Sequence, residues 1–394
     1  MKVAFFSNFL NHHQLPLCLE LSKRENVQFV FVATEPVEQE RLDMGYADMN
    51  KEYDFVLRAY ESEENFRKAE RLAVDCDVMI FGAAPLSYLE KRMEEGKTTF
   101  YFSERILRKG YWRRFIPTTY KKIYNAYLRY KNKPLYILAA SAYASYDLKL
   151  CGFNEKKCYK WGYFPEIAMD EAQELLRKKQ DNQKVEILYA GRLLKIKNVL
   201  DTVKAIDLLV QEKVDNVHFT IVGEGEQKQE IENYIQKKKL QEYVTLLPFK
   251  KHNEIKEYMA KADIYVFSSN HYEGWGAVVN EAMASACAMA VSHAAGSVPY
   301  LIQNEKNGLI YQCGNVKELA HLLKKVIGDK SYRERLAIEA HDTITKKWTV
   351  EIAVDRLLGL YTYLKNDCTE DSPYDNGICS LAELIENNWI NKKK

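Results

Sequence analysis

Two carboxylates, Glu273 and Glu281, lie on either side of Gly-Trp-Gly in HYEGWGAVVNEAMASA, residues 271–286, with seven residues between them. The glycines allow close backbone approach, so N–H groups there can meet an anionic or hydroxylated ligand. If a helix begins near Ala277, the side chain of Glu281 tilts back toward this loop. Such a pair can accept hydrogen bonds from ribose hydroxyls and stabilise an oxocarbenium-like sugar carbon. Taken alone, the two acids also fit a solvated surface.

A second candidate group follows the β-rich run VEILYA and consists of Gly191, Arg192 and Lys197. Arginine offers a planar fork for phosphate oxygens, and lysine adds a point charge beside a helix start. We expect that helix to begin after Asn198, which is a candidate N-cap. The group predicts a diphosphate site, although a strand-end arginine in a surface salt bridge is the alternative.

Two other motifs resemble ligand sites but do not support them. Gly223-Glu224-Gly225 lacks the third glycine of a dinucleotide fingerprint, and its acid would repel a pyrophosphate, so we interpret it as a tight turn. This argues against a nicotinamide-dependent oxidoreductase. Asp75-Cys76-Asp77 has the spacing of a metal-binding motif but precedes a strand, whereas ligand sites of such folds lie at carboxyl ends. We expect neither a metal nor a cofactor.

The elements that must position these residues alternate between β-rich runs and amphipathic stretches, which is typical of an α/β fold with parallel sheets. A chain of 394 residues exceeds one hydrophobic core and predicts two domains. The predicted strands are KVAFFS, VQFVFVA, DVMIFG, TTFYFS and LYILAAS in the first half, and VEILYAG, VHFTIVG, VTLLPF, DIYVFSS and AMAVSH in the second.

The predicted domain organisation follows from this alternation. We assign a Rossmann-like domain to 1–165, a linker to 166–184, a second Rossmann-like domain to 185–346, a final helix to 347–365 and a polar tail to 366–394. The final helix carries an apolar stripe between Val350 and Leu364. Within the tail we expect a short helix capped by Ser380 and Glu383.

Composition limits the class of protein. Mean hydropathy is −0.41, and no apolar run approaches the roughly 18 residues that span a bilayer. The N-terminal residues are interpreted as a first strand and not as a signal peptide. Eight scattered cysteines without a CxxC pair predict reduced core thiols in a cytoplasmic protein.

Charge is concentrated in one stretch. Residues 105–133 contain ten Lys or Arg, no acid and seven aromatics, whereas the rest of the chain has 47 basic and 55 acidic residues. Cations interleaved with aromatics suit an anionic bilayer surface. The alternative is a solvated helix whose tyrosines pack inward. Nucleic acid is a third and weaker reading, because no recognised RNA or DNA module accompanies the stretch.

Six motifs in register carry a family resemblance. They run from AGRLLKIKNVLDTVKAI through FTIVGEGEQKQEI, VTLLPF and YVFSSNHYEGWGAVVNEAMASACAMAVS to GSVPYLI and NGLIY. The second half resembles the donor domain of family 4 glycosyltransferases of the GT-B fold, in particular bacterial capsular and exopolysaccharide glycosyltransferases. Glu273 and Glu281 correspond to the E-x7-E motif of that family.

The resemblance implies two facing Rossmann-like domains with a cleft between them and a last helix that crosses back to the first domain. It implies a nucleotide-diphosphate sugar donor and retention of anomeric configuration without a metal. It also implies that Arg192 and Lys197, with Gly191 before them, hold the diphosphate, that Glu281 holds the ribose, and that Glu273 and the loop from Gly274 through Trp275 to Gly276 hold the sugar.

The chain departs from the family at several positions. NFLNHHQLP replaces the glycine-rich loop after the first strand, and His12, His13 and Gln14 could contact acceptor or donor, or form a polar helix entry. YFSERIL has no counterpart of the family's first-domain histidine. It offers Ser103, Glu104 and Arg105, of which Glu104 could act as acid or base or orient an acceptor hydroxyl. Ala286 replaces a common glycine, and Tyr300 a common acid.

The sequence therefore predicts a cytoplasmic, retaining glycosyltransferase with catalytic candidates Glu273, Arg192, Lys197 and Glu104. Its acceptor is expected to be a glycan or a lipid-linked glycan at the inner face of the cell membrane. The alternative is a non-catalytic scaffold of the same fold that binds nucleotide sugars or nucleic acid.

Overall fold

The computed structural model describes residues 1–39, 47–167, 170–180, 183–366 and 372–392. The chain forms two compact units, Met1–Pro165 with Thr349–Ile385, and Glu166–Trp348 with Glu386–Lys394. The predicted linker 166–184 therefore belongs to the second unit. The predicted tail is divided between both units.

The described residues of the first unit form a seven-stranded parallel sheet of order β3-β2-β1-β4-β5-β6-β7. Its strands are β1 Lys2–Ser7, β2 Gln28–Ala33, β3 Val56–Arg58, β4 Val78–Phe81, β5 Thr99–Ser103, β6 Leu135–Ala139 and β7 Cys158–Lys160. The central strands β1, β4 and β6 are almost wholly buried, because helices cover both faces of a parallel sheet. This explains why their sequences are nearly continuous apolar runs.

Helices connect these strands. They are α1 Leu15–Lys23, α2 Met49–Glu52, α3 Glu63–Asp75, α4 Leu86–Glu94, α5 Pro117–Ala126 and α6 Ala144–Leu150. The start of α3 shows why the chain becomes helical there. The Ser62 side chain accepts a hydrogen bond from the Asn65 N–H, and two acids lie in the first turn, where they complement the helix dipole.

The described residues of the second unit form a six-stranded parallel sheet of order β10-β9-β8-β11-β12-β13. Its strands are β8 Val185–Ala190, β9 Val217–Val222, β10 Val244–Leu247, β11 Ile264–Phe267, β12 Ala288–Ser292 and β13 Leu309–Tyr311. Its helices are α7 Ala172–Lys178, α8 Val199–Gln211, α9 Lys228–Lys238, α10 His252–Lys261, α11 Val278–Ala284, α12 Val298–Leu301, α13 Val316–Gly328 and α14 Lys330–Lys346.

The last helix, α15 Val350–Lys365, belongs to the first unit, as the resemblance implied. Thr349 caps its start by accepting the Ile352 N–H. Its buried face includes Leu357 and Leu360, and Asp355 pairs with Arg24, just after α1, at 3.0 Å. No described helix is long and apolar enough to cross a membrane.

The predicted α/β class and parallel sheets are confirmed, and every predicted strand is present. The short edge strands β3, β7 and β13 were missed. The helix expected after Ser380 is wrong, because Leu381 forms an antiparallel bridge with Tyr159. Asn198 does precede α8, but its side chain does not cap the helix, since its amide donates to Cys313.

The described cysteines are free thiols. Cys18, Cys76, Cys158, Cys287 and Cys379 are buried, Cys151 and Cys313 are partly buried, and Cys368 lies outside the described residues. Burial raises the pKa of these thiols, for example that of Cys158 to about 12. They therefore behave as packing groups.

Candidate active site in the second unit

The sheet order identifies where a ligand should bind. In the second unit β8 and β11 are adjacent, and the chain proceeds outward from them in opposite directions, which makes a topological switch point. Ligands of such sheets bind outside the carboxyl ends of the strands at that point. The loop after β8 carries Arg192 and Lys197, and the loop after β11 carries Glu273. The predicted donor residues thus flank the switch point.

The two loops are joined by one side-chain and one backbone hydrogen bond. Ser268, directly after β11, donates through its hydroxyl to the Lys197 carbonyl oxygen at 2.6 Å. The Asn270 N–H donates to the carbonyl oxygen of Ile196 at 2.8 Å. These bonds fix the positions of both loops before any ligand arrives.

Lys197 and Glu273 form an ion pair across the switch point. The Ser269 hydroxyl donates to the same carboxylate at 3.1 Å. The lysine and glutamate side chains are 18% and 14% exposed, so the pair is shielded yet remains reachable from solvent. A cation, an anion and a hydroxyl are therefore held together at the switch point, where ligands of such sheets bind.

Gly276 shapes the rest of this loop. Its φ is +86°, and a Cβ at this position would overlap the Phe267 ring. Only glycine satisfies both conditions without a shift of the backbone. The buried Gly274 lies two residues earlier. The requirement for glycine predicted from sequence thus has a steric cause at Gly276.

The Trp275 side chain lies beneath the loop. It is 2% exposed, its indole N–H donates to the Asn280 side-chain oxygen at 3.0 Å, and it stacks on Trp348 at 5.8 Å. Tyr300, which replaces an acid common in the family, packs against the same two rings. The indole predicted to bind donor therefore supports the loop from the protein interior.

Gly191 and Arg192 follow β8 directly. The Gly191 N–H donates to Val222, and the Tyr189 hydroxyl donates to the Arg192 carbonyl at 3.0 Å. Both residues are exposed. The Arg192 guanidinium is consequently accessible to an anion from solvent.

The Gly-Glu-Gly turn after β9 packs closely against the backbone of the loop after β8. A Cβ on Gly223 would overlap the Gly191 carbonyl, and one on Gly225 would overlap the Leu193 carbonyl. The tight turn predicted there is confirmed. Its glycines let the loop after β9 touch the loop after β8.

Glu281 is the fourth residue of α11 and has a different environment from Glu273. Burial raises the pKa of its carboxyl from 4.5 to about 7, and the nearby Lys256 only partly opposes this rise. It borders a cavity of about 250 Å³ that is also lined by Lys256, Met259 and Ser285. The carboxyl can therefore exchange a proton near neutral pH.

Ala286 shows how the chain accommodates a missing glycine. Its φ is +51°, in the left-handed region that favours glycine. The buried Lys179 ammonium donates to the Ser285 and Ala286 carbonyl oxygens at 2.8 and 2.7 Å. These bonds hold the end of α11, and with it the helix that carries Glu281.

Sequence reasoning missed Ser269 and Lys256. Ser269 carried a signal, because it is the last residue of the predicted strand DIYVFSS, which leads into the Glu273 loop. Lys256 carried none, since it lies on α10 and meets Glu281 only through tertiary packing.

In the first unit, the loop after β1 is a hydrogen-bonded polar turn. The Gln14 side chain donates to Ser7 at 3.2 Å and accepts from Asn11 at 3.0 Å. The His12 and His13 rings lie 3.9 Å apart. Gln14 stands at the N-cap of α1 without capping it, so the loop is a polar helix entry in part.

Glu104, after β5, is joined to this turn by Tyr163. The Tyr163 hydroxyl donates to Glu104 at 2.7 Å, and its ring meets the His13 ring edge-on at 5.6 Å. Burial and the Glu104 charge raise the pKa of Tyr163. Ser103 and Arg105 face inward instead, toward Tyr127 and Asp147. Of the three residues offered by YFSERIL, Glu104 is the one whose predicted role toward an acceptor hydroxyl stays a prediction.

Across the described ranges, no group of three or more His, Cys, Asp or Glu side chains could hold a metal ion. In the discounted DxD-like motif, Asp77 accepts the Lys2 N–H at 2.8 Å. That bond ties the entry of β4 to the start of β1, as expected of a strand-entry turn.

Residues 172–343 match the family model described as "Glycosyl transferases group 1". The matched segment lies within the second unit. Alpha-D-kanosaminyltransferase of Streptomyces kanamyceticus is 28% identical over 175 residues, which are 44% of this chain and 45% of the relative. Capsular polysaccharide biosynthesis glycosyltransferase CapM of Staphylococcus aureus is 25% identical over 47% of this chain and 48% of its own length. The chain thus spans about half the length of these curated relatives.

Likeness to solved structures extends over both units. The crystal structure of Anabaena Alr3699/HepE in complex with UDP has a TM-score of 0.66 at 16% identity and covers 91% of this chain and 100% of its own. A glycosyltransferase from Rickettsia africae has a TM-score of 0.64 at 15% identity, over 93% of this chain and 99% of its own. At this identity the likeness shows the fold, which is GT-B.

The matched segment contains every donor candidate between Gly191 and Glu281. It does not contain His12, His13, Gln14 or Glu104. The sequence match therefore bears on the donor half of the chain, and the first-unit residues rest on the fold and their own geometry.

Proposed function

We propose that this protein is a retaining, metal-independent glycosyltransferase that moves a sugar from a nucleotide-diphosphate sugar to a glycan or lipid-linked acceptor. The observation that carries the proposal is the Lys197–Glu273–Ser269 cluster at the switch point of a group 1 glycosyl transferase domain. Uridine diphosphate sugars are the first donor class to test, because similar folds have been solved with UDP and UDP-glucose.

Arg192 and Lys197 would bind the diphosphate. The Lys197 ammonium is paired with Glu273 in this structure, and a diphosphate would compete for it with a larger negative charge. Withdrawal of the lysine toward phosphate leaves the carboxylate and Ser269 available for sugar hydroxyls. Donor binding would thereby prepare Glu273 to stabilise positive charge at the anomeric carbon.

Glu281 would bind the ribose. Its raised pKa shows that the carboxyl lacks sufficient solvation when no ligand is present. Two vicinal hydroxyls that donate to the carboxylate supply that solvation and favour the ionised form. The energetic cost of burying Glu281 is thus offset when a nucleotide occupies the site.

Glu104 would orient or deprotonate the acceptor hydroxyl, with Tyr163 and His13 holding it in place. A lipid-linked acceptor would place the enzyme in the cytoplasm at the inner face of the cell membrane. The capsular polysaccharide and lipopolysaccharide biosynthesis relatives favour such an acceptor.

Nucleotide release from a panel of UDP, GDP, ADP and CMP sugars, with and without membrane extract, tests the proposal. One donor should turn over in the presence of EDTA, and the product should keep the anomeric configuration of the donor by NMR. Glu273→Gln and Lys197→Ala should each lower kcat by about a hundredfold, the scale for losing a charge-stabilising group. Lys195→Ala, an exposed neighbour of Lys197, is the matched control and should retain activity.

The scaffold alternative makes the opposite prediction. If no donor turns over with extract present while UDP still binds, and Glu273→Gln binds UDP as the wild type does, the enzyme proposal is wrong. Loss of turnover only with EDTA would refute metal independence alone.

A further inference from the structure

We propose that residues 108–124, here called the basic-aromatic surface, dock on an anionic lipid bilayer. They comprise a 3-10 turn, Tyr111–Phe115, followed by α5. Trp112 is 61% exposed and Phe115 74% exposed, and Tyr120 and Tyr124 are each nearly half exposed. Four large exposed aromatics thus fall within thirteen consecutive residues.

Helix α5 separates its aromatic and apolar residues onto two faces. Ile123 is 5% exposed, and Tyr127, just after the helix, is 8% exposed and shares a hydrogen bond with the Ser103 hydroxyl. Tyr120 and Tyr124, one turn apart, stack at 6.4 Å on the outer face. The inward-packing alternative therefore accounts for Tyr127 but not for the outer pair.

The turn that displays Trp112 and Phe115 is firmly anchored. Arg105 and Asp147 form a buried ion pair, and Asp147 also accepts the Leu107 N–H at 2.7 Å. The Arg105 guanidinium lies 4.7 Å from the Tyr143 ring and 5.6 Å from the Tyr111 ring. The exposed rings are consequently presented by a fixed scaffold.

Cations lie beside these rings. The Arg114 guanidinium is 4.4 Å from the Phe115 ring centre, and that of Arg113 is 5.7 Å from Trp112. Arg108, Lys109, Lys121 and Lys122 are exposed on the same segment, which contains no acid. Positive charge favours anionic headgroups, while aromatic rings insert at the level of the headgroups.

A bilayer fits this combination better than nucleic acid does. Nucleic acid also attracts cations and stacks on aromatic rings. Phe115, the most exposed of the four aromatic rings on this surface, has no polar tip, so leaving it in water is unfavourable and insertion among lipid chains removes it from water. The donor residues take no part in this surface. A test can therefore refute vesicle binding while glycosyl transfer is observed, or refute glycosyl transfer while vesicle binding is observed.

Sedimentation of the full chain with vesicles tests the docking surface. We expect binding to phosphatidylcholine vesicles that contain phosphatidylglycerol, weak binding to phosphatidylcholine alone, and weaker binding as salt rises. Lys121→Glu with Lys122→Glu should weaken binding by at least about tenfold. The matched control, Lys237→Glu with Lys239→Glu on the exposed end of α9, should change it less than about twofold.

A second pair of variants tests the rings. Trp112→Ala with Phe115→Ala should weaken vesicle binding without altering UDP affinity, which verifies that the second unit is intact, and an unchanged urea-unfolding curve verifies that the first unit is folded. Phe249→Ala removes a ring that is 69% exposed in the second unit and should leave vesicle binding unchanged. In the wild type, vesicles should shift tryptophan emission to shorter wavelength, and Trp112→Phe should abolish that shift.

Three results would overturn the proposal. The first is equal binding to vesicles with and without phosphatidylglycerol. The second is vesicle binding that does not change when Lys121 and Lys122 are replaced by glutamate. The third is displacement of the protein from vesicles by single-stranded RNA that binds the same surface more tightly.

Discussion

Replacing Glu281 by glutamine should remove a pH dependence of stability from the second unit. Burial raises the pKa of this carboxyl from 4.5 to about 7. Between these values the folded state holds a proton that the unfolded state has released, so stability falls as pH rises. From about pH 5 to about pH 8 this loss amounts to about 2.5 kcal/mol. Glutamine does not titrate and should not show it.

Urea unfolding at several pH values measures the effect. Trp275 and Trp348 are buried in the second unit, and their fluorescence reports its unfolding. Glu281→Gln should gain about 2.5 kcal/mol relative to the wild type as pH is raised from about 5 to about 8. Because every other titrating group is common to both proteins, the difference between the two curves isolates Glu281.

The affinity for a nucleotide should change with pH in the direction opposite to the change in stability. Ribose hydroxyls favour the ionised carboxylate, so UDP affinity of the wild type should increase through about pH 7 relative to the glutamine variant. Parallel stability curves for the two proteins would refute the claim that burial raises the pKa of Glu281. A stability difference without any difference in UDP affinity would refute the ribose role alone.

Two further predictions concern positioning. Gly276→Ala should destabilise the second unit by about 2 kcal/mol and weaken UDP binding, because the new Cβ overlaps the Phe267 ring. The control Gly314→Ala, also at positive φ but with open space around it, should lower the free energy of unfolding by only about 1 kcal/mol and leave UDP binding intact. Equal losses of stability in urea unfolding would exclude the Phe267 overlap as the cause. Tyr163→Phe removes the hydroxyl that holds Glu104 and should raise the acceptor KM about fivefold while the donor KM is unchanged. If the acceptor KM and the pH profile of activity are both unaltered, the Tyr163–Glu104 hydrogen bond is only structural.

The central strands and the donor loops were predictable because their signals are local. The buried strands are continuous apolar runs, and Arg192 and Glu273 lie in the loops after strands β8 and β11, which are neighbours at a switch point. The edge strands β3, β7 and β13 were missed because each has only three residues, which is too few to show a periodic pattern of apolar side chains. Local sequence therefore located the site by its strand ends.

Tertiary neighbours were not predictable. The indole of Trp275 follows an acidic loop residue and looked like a ligand contact, yet Trp348, 73 positions later, covers it. The pKa of Glu281 depends on burial under several helices and on Lys256 from a different one. Likewise, sequence could not separate Tyr124 from Tyr127, because only the packed helix shows which ring faces the core.

The course of the chain between units has a practical consequence. The second unit ends with Glu386–Lys394, where the Asn387 carbonyl lies 2.9 Å from the His293 ring and the Trp389 indole N–H donates to the His293 backbone. His293 directly follows β12. Three peptide connections thus link the units, and cutting one leaves them joined by the other two. A fragment ending at Trp348 would lack the segment that contacts His293, so a fragment that preserves the second unit requires the C-terminal nine residues, supplied as a separate peptide or fused by a linker.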